Sequence, residues 1–93
     1  ESGVVVVIAT IDKQTKDIVA GPEILTRGFI YVKDSTEMIK ESIRISSEII
    51  AENRKNNYID YTKVKNGIRD RLGKYFYQET ECRPMILVVM QEI

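Results

Sequence analysis

The sequence predicts an α+β fold: a two-layer domain with a three-stranded, mainly antiparallel sheet and two α-helices on one face, in the order β-β-α-α-β. Three observations predict it. Apolar runs stand near both ends, at Val4–Ile11 and Met85–Met90, each too short to span a membrane and lacking helical spacing. Between them lie two long segments whose apolar residues recur every third or fourth position. A polar stretch, Asp12–Asp17, separates the first run from a second short one, as a hairpin turn would.

The first strand is Val4-Val5-Val6-Val7-Ile8-Ala9-Thr10-Ile11. Its β-branched side chains suit a pleated surface. Alternation puts Val5, Val7, Ala9 and Ile11 on one face and Val4, Val6, Ile8 and Thr10 on the other. Both faces are largely apolar, so both call for cover. Ile18-Val19-Ala20 starts a weaker second strand, and Gly21-Pro22 confines it to an edge or gives it a bulge, because proline cannot donate to a ladder. Thr26-Arg27-Gly28 reads as a turn with a positive φ at Gly28, and Phe29–Val32 as a brief extended segment, a fourth strand if it pairs.

Asp34 or Ser35 caps the first helix, with Glu37 placed to close a capping box. Met38, Ile39, Ile43, Ile45, Ile49 and Ile50 form its stripe, with Ser42 and Ser46 filling gaps, and Asn53–Asn57 ends it. Asp60 caps the second helix, whose stripe is Tyr61, Val64, Ile68, Leu72, Tyr75 and Phe76. Gly67, unfavourable inside a helix, predicts close packing there. Pro84 opens the last strand, expected beside the first at the sheet centre with Ile18–Ala20 outside.

Residues 1–93 are expected to form a single domain. The chain begins without methionine and enters a strand at once, which predicts a part of a longer protein. Fourteen basic and fourteen acidic side chains balance, against a stand-alone nucleic-acid binder. One cysteine, Cys82, forms no internal disulfide and fits a cytoplasmic location, and no membrane run is present. There is no histidine, hence neither the commonest zinc ligand nor the usual neutral-pH base, and Cys82 has no histidine to activate it. No glycine-rich phosphate loop occurs. No catalytic or metal residue is therefore assigned in this chain.

Two helices cover one face of a sheet, leaving the other apolar. A monomer rarely exposes an apolar patch beyond a few hundred Å². Val4, Val6, Ile8, Ile86 and Val88 are the candidate interface residues. The charged tails of Lys13, Lys16 and Glu92 are the alternative cover. Lys65, Arg69, Lys74, Tyr77 and Arg83 are the candidate RNA contacts, a modest basic stripe with one exposed ring, weakened by the nearby Asp70.

Two stretches carry a family resemblance. Ala20-Gly21-Pro22-Glu23-Ile24-Leu25-Thr26-Arg27-Gly28-Phe29-Ile30-Tyr31-Val32 and Arg83-Pro84-Met85-Ile86-Leu87-Val88-Val89-Met90-Gln91-Glu92-Ile93 resemble segments of bacterial ribonuclease J. Ile68-Arg69-Asp70-Arg71-Leu72, followed by Tyr75-Phe76-Tyr77-Gln78-Glu79-Thr80, is similar to a helix between them. Val88 departs from a usual proline, and Glu81-Cys82 from a more basic pair. The resemblance implies the C-terminal domain of an RNA-degrading and RNA-maturing 5′–3′ exo- and endoribonuclease. The zinc of such an enzyme lies in a metallo-β-lactamase core with a β-CASP insertion, outside this chain. It further implies a domain that supports self-association and full activity. The implied partners are the nuclease core of the same chain, a second subunit in a homo- or hetero-oligomer, and RNA through the parent enzyme. Direct single-stranded RNA binding is the alternative.

Overall fold

A computed structural model describes residues 3–29 and 35–93. Strands β1 (Val4–Ile11), β2 (Ile18–Arg27) and β5 (Met85–Glu92) form a three-stranded sheet in the order β2-β1-β5. Helices α1 (Ser35–Glu52) and α2 (Tyr61–Thr80) pack against one side of it, giving the expected α+β layers. A two-stranded hairpin, β3 (Arg54–Lys55) with β4 (Tyr58–Ile59), sits between the helices. The sheet is mixed: β1 pairs antiparallel with β2 and parallel with β5.

The first and last strands are adjacent, as their composition predicts, but β1 alone is central and β5 is an edge. β2 is longer than Ile18–Ala20, because the chain bulges past Gly21-Pro22 and resumes pairing from Glu23 opposite Ile8. Gly21 holds φ +84° there, and a Cβ on it would stand 2.5 Å from the Ile8 carbonyl oxygen, so only glycine passes. Pairing continues through Thr26 and Arg27, so the expected turn narrows to Gly28, which does hold a positive φ of 73°. Of the extended segment from Phe29, residues 30–32 lie outside the described ones, as does Asp34. Phe29 itself is buried, its ring 4.9 Å from that of Phe76.

The core lies between the sheet and the helices. Val5, Val7, Ala9 and Ile11 are buried with Ile45, Ile49 and Ile50 of α1 and Val64, Ile68, Leu72 and Phe76 of α2. Each such large side chain is worth roughly 1.5–3 kcal/mol relative to exposure. Gly67 lets the helices meet, since a Cβ there would stand 3.1 Å from Cγ2 of Ile49. Asp60 caps α2, its carboxylate accepting from the Lys63 N–H at 3.1 Å.

The β3–β4 hairpin occupies the Asn53–Asn57 stretch read as a helix terminus. It is pinned to the β1–β2 turn: Arg54 pairs with Asp17 at 2.8 Å and donates to the Thr15 carbonyl at 2.8 Å. Lys16 from that turn bonds Glu92 at 2.8 Å, and Glu92 also accepts from the Tyr61 hydroxyl.

Candidate interaction surface

The register of the sheet decides which side chains remain without cover. Val5 neighbours Ile86 and Val7 neighbours Val88, so Ile86 and Val88 point at the helices with the buried valines. Both are only 8% exposed. Their placement on the outer face is therefore corrected. Both parities of the last strand are apolar, and only the pairing with β1 separates them.

The outer members of β5 are Met85, Leu87 and Val89, beside Val4, Val6 and Ile8. They are 61%, 46% and 39% exposed, and Leu25 of β2, opposite Val6, is 50% exposed. Val4, Val6 and Ile8 are half-buried, shaded by these neighbours on the flanking strands. The result is a contiguous apolar face three strands wide. Glu23 and Arg27 border it on β2, and Thr10 and Gln91 close one end, their side chains 3.4 Å apart. Two of the three charged tails proposed as cover are engaged elsewhere. Glu92 alternates to the helix side, where it holds Tyr61, and Lys16 is bonded to Glu92.

A second feature lies beyond the free edge of β5. The flank of α2 that faces away from α1 overhangs that edge and makes an open groove of about 880 Å³. Arg69, Gly73, Lys74 and Tyr77 line its helix side, and Arg83, Pro84 and Ile86 its strand side. The structure thus brings together four of the five candidate RNA contacts. Lys65 does not line the groove. The basic groups are tempered: Arg69 donates to Asn66 at 2.7 Å, Lys74 stands 3.4 Å from Asp70, and the Arg83 guanidinium stacks 4.0 Å over the Tyr77 ring. Asp70 and Glu81 also line the groove, so its charge is mixed. Sequence reasoning placed these cations on a helix surface but missed the groove, which depends on β5 being an edge.

The sequence matches the family described as Ribonuclease J C-terminal domain over residues 1–93. The chain belongs to that family. It is 34% identical over 93 residues to Ribonuclease J2 of Bacillus subtilis (strain 168). It is 37% identical over the same length to Ribonuclease J 2 of Staphylococcus epidermidis (strain RP62A) and 34% to that of Staphylococcus aureus (strain NCTC 8325). In each case all of this chain is aligned, and it spans 17% of the relative's length.

The chain has no histidine, and among the described residues no three of Cys, Asp and Glu converge to hold a metal ion. No helix of the described residues is long and apolar enough to cross a membrane.

Proposed function

We propose that this domain serves a ribonuclease J as a non-catalytic association module, docking through the outer face of its sheet. The observation that carries the reading is the continuous apolar surface of Val4, Val6, Ile8, Leu25, Met85, Leu87 and Val89, with no helix over it among the described residues. Association burying such a face removes apolar area from water at roughly 25 cal/mol per Å² before the costs of ordering. The occupants proposed are a second subunit and the nuclease core of the longer protein. On this reading the domain meets RNA through that core, whose zinc and catalytic residues lie outside these 93 residues.

The test is sedimentation of the chain over a wide concentration range, alone and with the separate nuclease core. The wild type is expected to associate. Val6→Glu, placing a charge at the middle of the face, is expected to weaken association at least about tenfold while leaving the far-ultraviolet circular dichroism unchanged. A wild-type chain that stays monomeric throughout and does not bind the core overturns the reading.

Direct RNA holding along the groove is the second reading, favoured by the convergence of Arg69, Lys74, Tyr77 and Arg83. It requires single-stranded RNA binding that weakens steeply with salt. A flat titration at low salt ends it.

A further inference from the structure

The groove beside α2 is walled by two different kinds of surface. On the helix side Arg69, Gly73 and Tyr77 recur every four residues and so share one flank. Gly73 leaves the middle of that flank bare, and a Cβ there would do no more than touch Ile86, at 3.9 Å from its Cδ1. On the strand side stand Arg83, Pro84 and Ile86. The Arg83 guanidinium lies 4.0 Å over the ring of Tyr77, which is 43% exposed. One turn beyond the bare position, the two walls therefore meet in a stacked pair of planar groups.

Ile86 offers the groove the polar edge of its backbone, because its side chain turns to the core. The direction follows from the bonds to β1. Met85 donates its N–H to the Gly3 carbonyl at 2.8 Å and Ile93 to the Ile11 carbonyl at 3.0 Å. In a parallel ladder this direction alternates, so Leu87, Val89 and Gln91 also address β1, while Ile86 turns both its N–H and its C=O to the free edge. A donor and an acceptor thus stand side by side on the strand wall of a recess that ends in planar groups. The pairing edge of every nucleobase carries the same two kinds of group, and bases of a single strand stack on aromatic rings and on guanidinium planes.

We infer that the groove takes single-stranded RNA base-first: one base enters the recess at Gly73, stacks on the Tyr77–Arg83 pair, and bonds the Ile86 N–H and C=O through its pairing edge. Arg69 and Lys74 then face the flanking phosphates. The inference rests on the reading of the groove as an RNA site and adds which part of the RNA is held. Asp70 and Glu81 on the same walls repel phosphate, so contact with the backbone alone would be a poor hold. An added peptide strand fits less well. Strand addition uses successive outward backbone positions, yet among the described residues of β5 Ile86 alone lines the groove. Pro84, two positions before it, has no N–H to give.

Octamers of equal charge test the inference on the unaltered chain: oligouridylate, the same strand methylated at ring nitrogen 3, and an abasic ribose–phosphate strand. Affinity and the Ile86 amide signal in NMR are the readouts. Oligouridylate is expected to shift that amide and to bind at least about tenfold tighter than the abasic strand. The methylated strand keeps the ring face but loses the donor, and is expected to bind about fivefold more weakly than oligouridylate. Gly73→Leu fills the recess and favours the helix, so it is expected to reduce all of them to the abasic affinity with unchanged far-ultraviolet circular dichroism. Equal affinity for oligouridylate and either control overturns the inference and leaves the RNA reading of the groove standing. So does a preference for oligouridylate that leaves the Ile86 amide unmoved or survives Gly73→Leu. Binding of none of the strands removes both. An alternating valine–glutamate hexapeptide that shifts the Ile86, Val88 and Met90 amides where oligouridylate does not overturns the inference in favour of strand addition.

Discussion

Ser42 and Ser46 sit one turn apart on α1, both fully buried, yet they differ in what they cost. The Ser42 hydroxyl donates to the Met38 carbonyl at 2.7 Å, whereas the Ser46 hydroxyl has no hydrogen-bond partner among the described residues. An unmet buried hydroxyl is unfavourable by roughly 1–3 kcal/mol, so Ser46→Ala is expected to raise unfolding free energy by about 1 kcal/mol in urea titration. Ser42→Ala is the control and is expected to gain nothing. The sequence shows both serines on the apolar stripe and cannot distinguish them, because satisfaction depends on hydroxyl placement within the packed helix. Gly67 is a clearer case. Its position opposite Ile49 is the close approach that a glycine inside a helix foretells.

Among the elements, the end of α2 holds a conformational cost. Glu81 adopts the left-handed region at φ 61°, its N–H donating to the Tyr77 carbonyl at 2.7 Å. Glycine takes that geometry without steric penalty. Glu81→Gly is therefore expected to stabilise the domain by about 0.5–1 kcal/mol, read from the midpoint of denaturant unfolding at constant slope. The helices were legible because their stripes are long, and the second also opens on its cap, Asp60. The β3–β4 hairpin was not: Arg54-Lys55 and Tyr58-Ile59 are too short for a periodic signal, and Arg54 is held there by Asp17 and Thr15, thirty-odd positions away. The two faces of β1 could be read from alternation, but the outward-facing half of β5 could not. Its register is fixed by a strand at the other end of the chain, and a one-residue slip exchanges every side chain between faces.

Across the whole molecule, the Lys16–Glu92–Tyr61 cluster latches the β1–β2 turn, β5 and α2 to one another. Lys16 first and Tyr61 second hold the Glu92 carboxyl below the usual range. Burial first and the Glu92 carboxylate second push the Tyr61 phenol up to about 12. The signs are opposite. Glu92, depressed in the fold, contributes stability present above the unfolded glutamate pKa and lost as pH falls through its folded value. Tyr61, raised in the fold, contributes stability that is present below about pH 10 and declines as pH climbs towards 12. Absorbance titration is expected to show a late-ionising tyrosine component that is lost in Tyr61→Phe. The acid limb of unfolding is expected to flatten in Glu92→Gln. The apolar excess of the sheet was visible from composition alone; which residues express it emerged only when β1 and β5 were paired.

That pairing has a mechanical consequence. Gly3 bonds to Met85 and Ile11 to Ile93, so the two strands run in the same direction from neighbouring starts. A pull applied to the chain before β1 and after β5 acts along the strands from opposite ends of their shared seam. Every bond across the seam is then loaded in shear at once, rather than peeled one by one. A domain strung between a tethered neighbour and a moving one would resist tension best in that direction.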